Sequence, residues 1–183
     1  SVPQATLDNA GDGGIVTNSD AGATFTIDAS DVDNNNGVGV DVGVGTLDIE
    51  NSASVSSNTE KGVVVSTGSV NVLSDSTISN NGDQGIDADV GANDITIENS
   101  NVESNAANLV TTQKVDASGS TFSADSQTTA LTVDAGNASI SENTIEDSAT
   151  GLDLDTDNAD PAVTLNTIQN NDVGFAVDGS VDT

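Results

Sequence analysis

The 183-residue chain sets 30 Asp plus Glu against two Lys, Lys61 and Lys114, for a formal net charge of −28. It contains no Arg, His, Cys, Met, Trp or Tyr, and three Phe are its only aromatics. That composition excludes zinc fingers, disulfide frameworks, thiol nucleophiles and Ser-His-Asp triads, and removes the cationic footprint and stacking platforms of nucleic-acid binding.

In chain order, the first predicted element centres on Leu7. Gly14 then opens an alternating apolar segment, and the pair Phe25/Ile27 follows. The same trio returns as Val32, Gly37 and Leu47/Ile49, then as Val55, Gly62 and Val70/Val72. It continues as Ile78, Gly85 and Ile95/Ile97, and as Val102, Asn108 and Val115/Ala117. Phe122 with Ala130, Ile145 with Gly151, and Ile168 with Gly174 complete the series. Successive first landmarks lie 25, 23, 23, 24, 20, 23 and 23 residues apart. At a shift of 23, Asn143-Thr144-Ile145 falls on Asn166-Thr167-Ile168, and Gly151-Leu152-Asp153-Leu154-Asp155 falls on Gly174-Phe175-Ala176-Val177-Asp178.

Period-2 alternation between Gly, Asn, Asp and Ser clusters reads as short strands. Three such strands cannot bury a face alone, but a coil of three can stack on the next coil, like residue above like. The sequence therefore predicts an all-β solenoid of about eight coils of ~23 residues, with residues 1–183 as a single domain. A repeat register kept over eight units excludes a disordered acidic chain, and a propeller blade needs about twice this period.

The unit Asn-x-Ile-x-x-Asn…Gly-Ile-x-Leu, seen as Asn166, Ile168, Asn171 and Gly174-Phe175-Ala176-Val177, resembles the right-handed parallel β-helix repeat of pectate-lyase-like and related surface proteins. The resemblance covers essentially the whole chain, and it implies the right-handed coil. Enzymes of that class cleave or modify polysaccharides. Lyases among them use Arg or Lys as base and Ca²⁺ to hold an acidic sugar; hydrolases use clustered Asp, commonly with His. This chain has no Arg or His, its two Lys lie about two repeats apart, and no aromatic platform is present to hold a sugar. The expectation is that it is not an enzyme.

Turn chemistry follows the repeat. Asn34, Asn35, Asn36, Asn58, Asn80, Asn81, Asn105, Asn170 and Asn171 recur near turns, as amide ladders or in left-handed conformations. The landmark glycines read as turns into a strand, through positive φ or close approach. No Gly-x-x-x-x-Gly-Lys-Ser/Thr phosphate loop occurs, and Thr24-x-Thr26 has no counterparts that would make an ice-binding ladder.

Asp153, Asp155, Asp157 and Asp160 form the candidate metal cluster, because alternating Asp on a strand shares one face and hard cations such as Ca²⁺ take oxygen ligands. An EF-hand loop there fails, with Asn158 for Gly and Thr164 for Glu. Asp87/Asp89 and Asp31/Asp33 are weaker versions, Gly11-Asp12-Gly13-Gly14 resembles the nonapeptide calcium repeat in only one place, and a solvated acidic face is the competing reading. Asn137-Ala138-Ser139 is a lone glycosylation sequon. Beyond calcium at that cluster, no cofactor is expected.

Asp outnumbers Glu 24 to 6 with cations nearly absent. Self-repulsion at this charge opposes compaction at low salt and is screened at molar salt, where the Debye length is about 3 Å. A halophilic exterior is therefore expected. No apolar run is long enough to span a membrane, and Ser1-Val2-Pro3-Gln4 is no signal peptide. No cap is evident at either end, and Ser180-Val181-Asp182-Thr183 resembles the opening of a ninth unit. The function expected is structural and extracellular: a fibre subunit, stalk or adhesin shaft stacking head to tail, or a segment of a longer stack. The alternatives are a glycan- or cation-binding surface module and a remote carbohydrate-active enzyme.

Overall fold

The computed structural model describes residues 2–3, 6–8, 11, 13–18, 22–88, 94–111, 114–133, 138–155 and 161–178. Each alternating segment of the repeat is a strand, and the strands form three parallel sheets of eight. Sheet 1 holds Val2–Pro3, Thr24–Asp28, Thr46–Glu50, Ser69–Leu73, Ile95–Glu98, Val115–Ser118, Ala138–Ser141 and Ala162–Thr164. Sheet 2 holds Thr6–Asp8, Asp31–Asp33, Ser54–Ser56, Thr77–Ser79, Asn101–Asn105, Thr121–Ala124, Thr144–Glu146 and Thr167–Gln169. Sheet 3 holds Ile15–Asn18, Val40–Val44, Val63–Val65, Gln84–Ala88, Ala107–Thr111, Thr129–Val133, Thr150–Asp155 and Val173–Asp178. The chain visits the sheets in that order once per coil, so every strand between the first and last coils pairs with its equivalents one coil before and one coil after. Six of the coils are covered on both sides. At about 4.8 Å per coil the stack is about 38 Å long.

Every predicted first landmark lies in sheet 2, in one column from Leu7 through Val32, Val55, Ile78, Val102, Phe122 and Ile145 to Ile168. The predicted pairs form two inward columns in sheet 1, for example Ile27, Ile49, Val72, Ile97, Ala117, Ile140 and Val163. Sheet 3 adds columns through Val63, Ile86 and Leu131, and through Val65, Ala88 and Val133. The side chains at the centre of these columns are completely buried, and β-branched residues dominate, as pleated stacking favours. The short 20-residue interval loses one residue in each of its three steps: Val102 to Leu109, Val115 and Phe122 advances by 7, 6 and 7, where Val55 to Val63, Val70 and Ile78 advances by 8, 7 and 8. The columns keep register across it. The same coil balances Phe122, a bulky buried side chain, with the small buried Ala117, Ala124 and Ala130. Total volume is thereby held near what the neighbouring Val and Ile coils fill.

The corners combine two devices. Between sheets 1 and 2 the chain turns through left-handed residues, among them Ala29, Asn51, Asn99, Gly119, Glu142 and Leu165; between sheets 2 and 3 through Asn34, Ser57, Asn80, Ser104, Asp147 and Asn170. Beside them run amide ladders. Asn35 donates from Nδ2 to Asn58 Oδ1 at 2.9 Å, Asn58 to Asn81 at 2.9 Å, and Asn81 to Asn105 at 2.9 Å. Each Oδ1 also accepts the backbone N–H of the preceding Asn. At the other corner Asn143 Nδ2 donates to Asn166 Oδ1 at 3.1 Å. Of the predicted turn asparagines, Asn35, Asn58, Asn81 and Asn105 are thus ladder amides, Asn34, Asn80 and Asn170 take left-handed φ, and exposed Asn36 donates to the Gly11 carbonyl at 3.1 Å.

The glycine column is corrected at one position. Gly39, not Gly37, stands in register with Gly14 and Gly62, since Ile15 pairs with Val40 and Val40 with Val63. Its role is room for the amides rather than unusual φ. A Cβ at Gly62 would lie 2.6 Å from the Gly85 carbonyl oxygen and 2.7 Å from Asn81 Nδ2. The pattern changes after Asn105. Asn108 occupies the glycine position and accepts from Asn105 Nδ2 at 3.0 Å, while Ala124 stands where the next ladder Asn belongs. The substitution at the glycine position is imperfect, because the buried Asn108 Nδ2 has no hydrogen-bond partner.

Candidate functional site

Because the inward positions are apolar, the strands' charge faces outward, and its pattern is the chemistry the fold presents. In register, carboxylates are mostly followed by neutral groups. The column through Val16, Asp41, Val64, Asp87 and Val110 alternates Val with Asp, and Asp153 lies between Thr132 and Ala176. Several carboxylates accept a hydrogen bond from the next coil. Asn51 Nδ2 donates to Asp28 at 2.9 Å, Ser54 Oγ to Asp31 at 2.6 Å, Asn71 Nδ2 to Asp48 at 2.7 Å and Gln169 Nε2 to Glu146 at 2.6 Å. Like charges directly opposite in adjacent strands are destabilising, and interposed donors relieve that. Asp8 beside Asp33, Asp28 beside Glu50 and Asp155 beside Asp178 are exceptions in register.

Both Lys are paired. Lys61 Nζ donates to Asp87, and Lys114 Nζ donates to Asp116 at 2.6 Å. The Asp116 hydrogen bond, then its charge, raises the Lys114 pKa above its usual value. The two cations lie in connections leading into strands of different sheets, so they supply no joint basic site.

Of the predicted metal cluster, Asp153 and Asp155 lie on one strand of sheet 3 and face outward. Asp157 and Asp160 fall outside the described residues, as do Asp12, Asp89 and the sequon residue Asn137. Among the described residues no three acidic side chains converge on a point that would hold a metal. Asp31 and Asp33 flank the inward Val32 on sheet 2, and Asp31 is bonded to Ser54. The last described coil presents a different surface. Phe175 and Val177 continue inward columns, yet are 48% and 52% exposed, because no described coil covers them.

Three parallel sheets wound by one recurring coil define a β-solenoid of the parallel β-helix class. The family model for NosD, described as a periplasmic copper-binding protein, matches residues 7–183, and the chain belongs to that right-handed parallel β-helix family. No curated protein and no solved structure matches the chain. The copper of the family description finds no suitable donors here. Copper draws on thiolate, thioether and imidazole ligands, and the chain has no Cys, Met or His.

Proposed function

We propose that the chain is a structural shaft outside the cytoplasmic membrane of a salt-adapted microbe: a fibre subunit, stalk or adhesin shaft rather than an enzyme. The observation that carries this reading is the continuity of the inward columns from coil to coil, reinforced by amide ladders from Asn35 to Asn105 and from Asn143 to Asn166. Each coil rests on the last through a dry apolar core and paired backbones, which makes a stiff rod. The acid-and-donor exterior keeps such a rod solvated in brine. The periplasmic description of the family agrees with a place beyond that membrane.

The finer reading is head-to-tail stacking. Ile15 and Phe175 belong to one column, as do Leu7 and Ile168. A second copy laid on the last coil would set Ile15 over Phe175 and hide the exposed apolar residues. Such a contact does not close on itself and extends into a filament. Electron microscopy in molar and in low salt tests it: filaments are expected in brine, and discrete particles at molar salt overturn the self-stacking reading. Release of reducing ends from acidic polysaccharides would overturn the non-enzymatic one.

A further inference from the structure

We infer that this chain holds no copper centre, and that it supplies the family's coil without the metal function in the family's description. The obstacle is its donors. Cu(I) is selected by soft sulfur, and Cu(II) by imidazole and other nitrogen ligands in tetragonal geometry. Cys, Met and His are absent along the whole chain. Both Lys amines donate to carboxylates, and an ammonium has no lone pair to give a metal. The ladder asparagines are buried and spend their Oδ1 atoms on one another. What remains is carboxylate oxygen, a hard donor suited to other cations, and the outward columns separate much of it with Val, Thr, Ser and Asn.

The coil itself would accept copper if given the ligands. Thr77, Asn101 and Thr121 stand in register on three consecutive coils of sheet 2, at the outward position beside the inward column. Their spacing, about 4.8 Å per coil, brings three imidazoles within reach of one ion.

The test uses the 183-residue chain folded in sulfate brine, with circular dichroism confirming the fold. Cu(II), and Cu(I) under ascorbate, are each offered in competition with a chromophoric chelator. Bound metal is counted after gel filtration. The expected result is under about a tenth of an equivalent on the unsubstituted chain and about one on the Thr77→His/Asn101→His/Thr121→His variant. One equivalent held by the unsubstituted chain against the chelator overturns the inference. A folded triple variant that also fails to bind overturns the claim that donors, not the coil, are limiting. Neither outcome bears on filament formation, so this inference and the shaft reading stand or fall separately.

Discussion

Truncating a single ladder amide should cost far more than its size suggests. Asn81 is 3% exposed, and its Oδ1 accepts both the backbone N–H and the Nδ2 of Asn58, while its Nδ2 donates to Asn105 Oδ1 and to the Val55 carbonyl. In Asn81→Ala, Asn58 Nδ2 keeps the Val32 carbonyl at 3.3 Å, but the Asn58 N–H loses the amide that satisfies it. A stranded buried polar group costs about 1–3 kcal/mol, and the lost bonds to Val55 and Asn105 add about 1 kcal/mol each. The sum is about 3–5 kcal/mol, a large part of a typical domain's stability. Asn36→Ala is the control, since that exposed amide makes one bond and its loss should stay within about 1 kcal/mol. Urea unfolding at constant molar salt, followed by circular dichroism, reads both variants without changing ionic strength. Coincident midpoints for the two would refute the ladder argument.

Other consequences are equally direct. Gly62→Ala should destabilise by about 1–3 kcal/mol by the same urea assay, because its Cβ would press on the Gly85 carbonyl and on Asn81, and a neutral result would remove the packing reason for the glycine column. Leu165→Asn should stabilise by about 0.5–1 kcal/mol in thermal unfolding, since Leu165 is 80% exposed at φ 58° and Asn tolerates that region; a loss of stability would contradict it. Asn108→Gly alone should weaken the fifth coil, while Ala124→Asn added to it should restore the ladder, giving favourable coupling of about 1 kcal/mol in a double-mutant cycle; strict additivity would show that the two sites are unrelated. The unfolding midpoint should rise steadily from low to molar salt at neutral pH, as screening removes the repulsion of a −28 chain, and a flat response would contradict that account of the acidity. The raised Lys114 pKa gives a contribution present below its unfolded value and lost as pH rises through the folded one; because the amine is solvent-exposed, Lys114→Gln should leave the midpoint unchanged near neutral pH.

The columns were legible because a stacked coil repeats its inward residues at a fixed interval: Leu7 to Ile168 could be read off before any strand was placed. The Asn143 ladder was half visible, since the 23-residue shift already set Asn143 on Asn166, but nothing local distinguished a ladder amide from a turn amide. Burial makes that distinction, and burial is a property of the neighbouring coils. Gly37 and Gly39 are alike in sequence for a related reason: both open the same apolar run, and only the pairing of Val40 with Val63 selects the second. The left-handed Ala29, Glu142 and Leu165 carry no signal at all, because those residue types disfavour the conformation and the stacked corner imposes it. Of the Asp153 group, Asp153 and Asp155 share the outward face of one strand, and Asp157 and Asp160 lie outside the described residues.

The central claim is that one winding, repeated, places equivalent residues directly above one another. A crystal structure determined in molar salt measures this without intermediaries. The account predicts Val32, Val55, Ile78 and Val102 in one line, successive Cα atoms about 4.8 Å apart in parallel strands, with the Asn35, Asn58, Asn81 and Asn105 amides bonded alongside. Antiparallel pairing, or Asn58 and Asn81 turned outward to solvent, would contradict it.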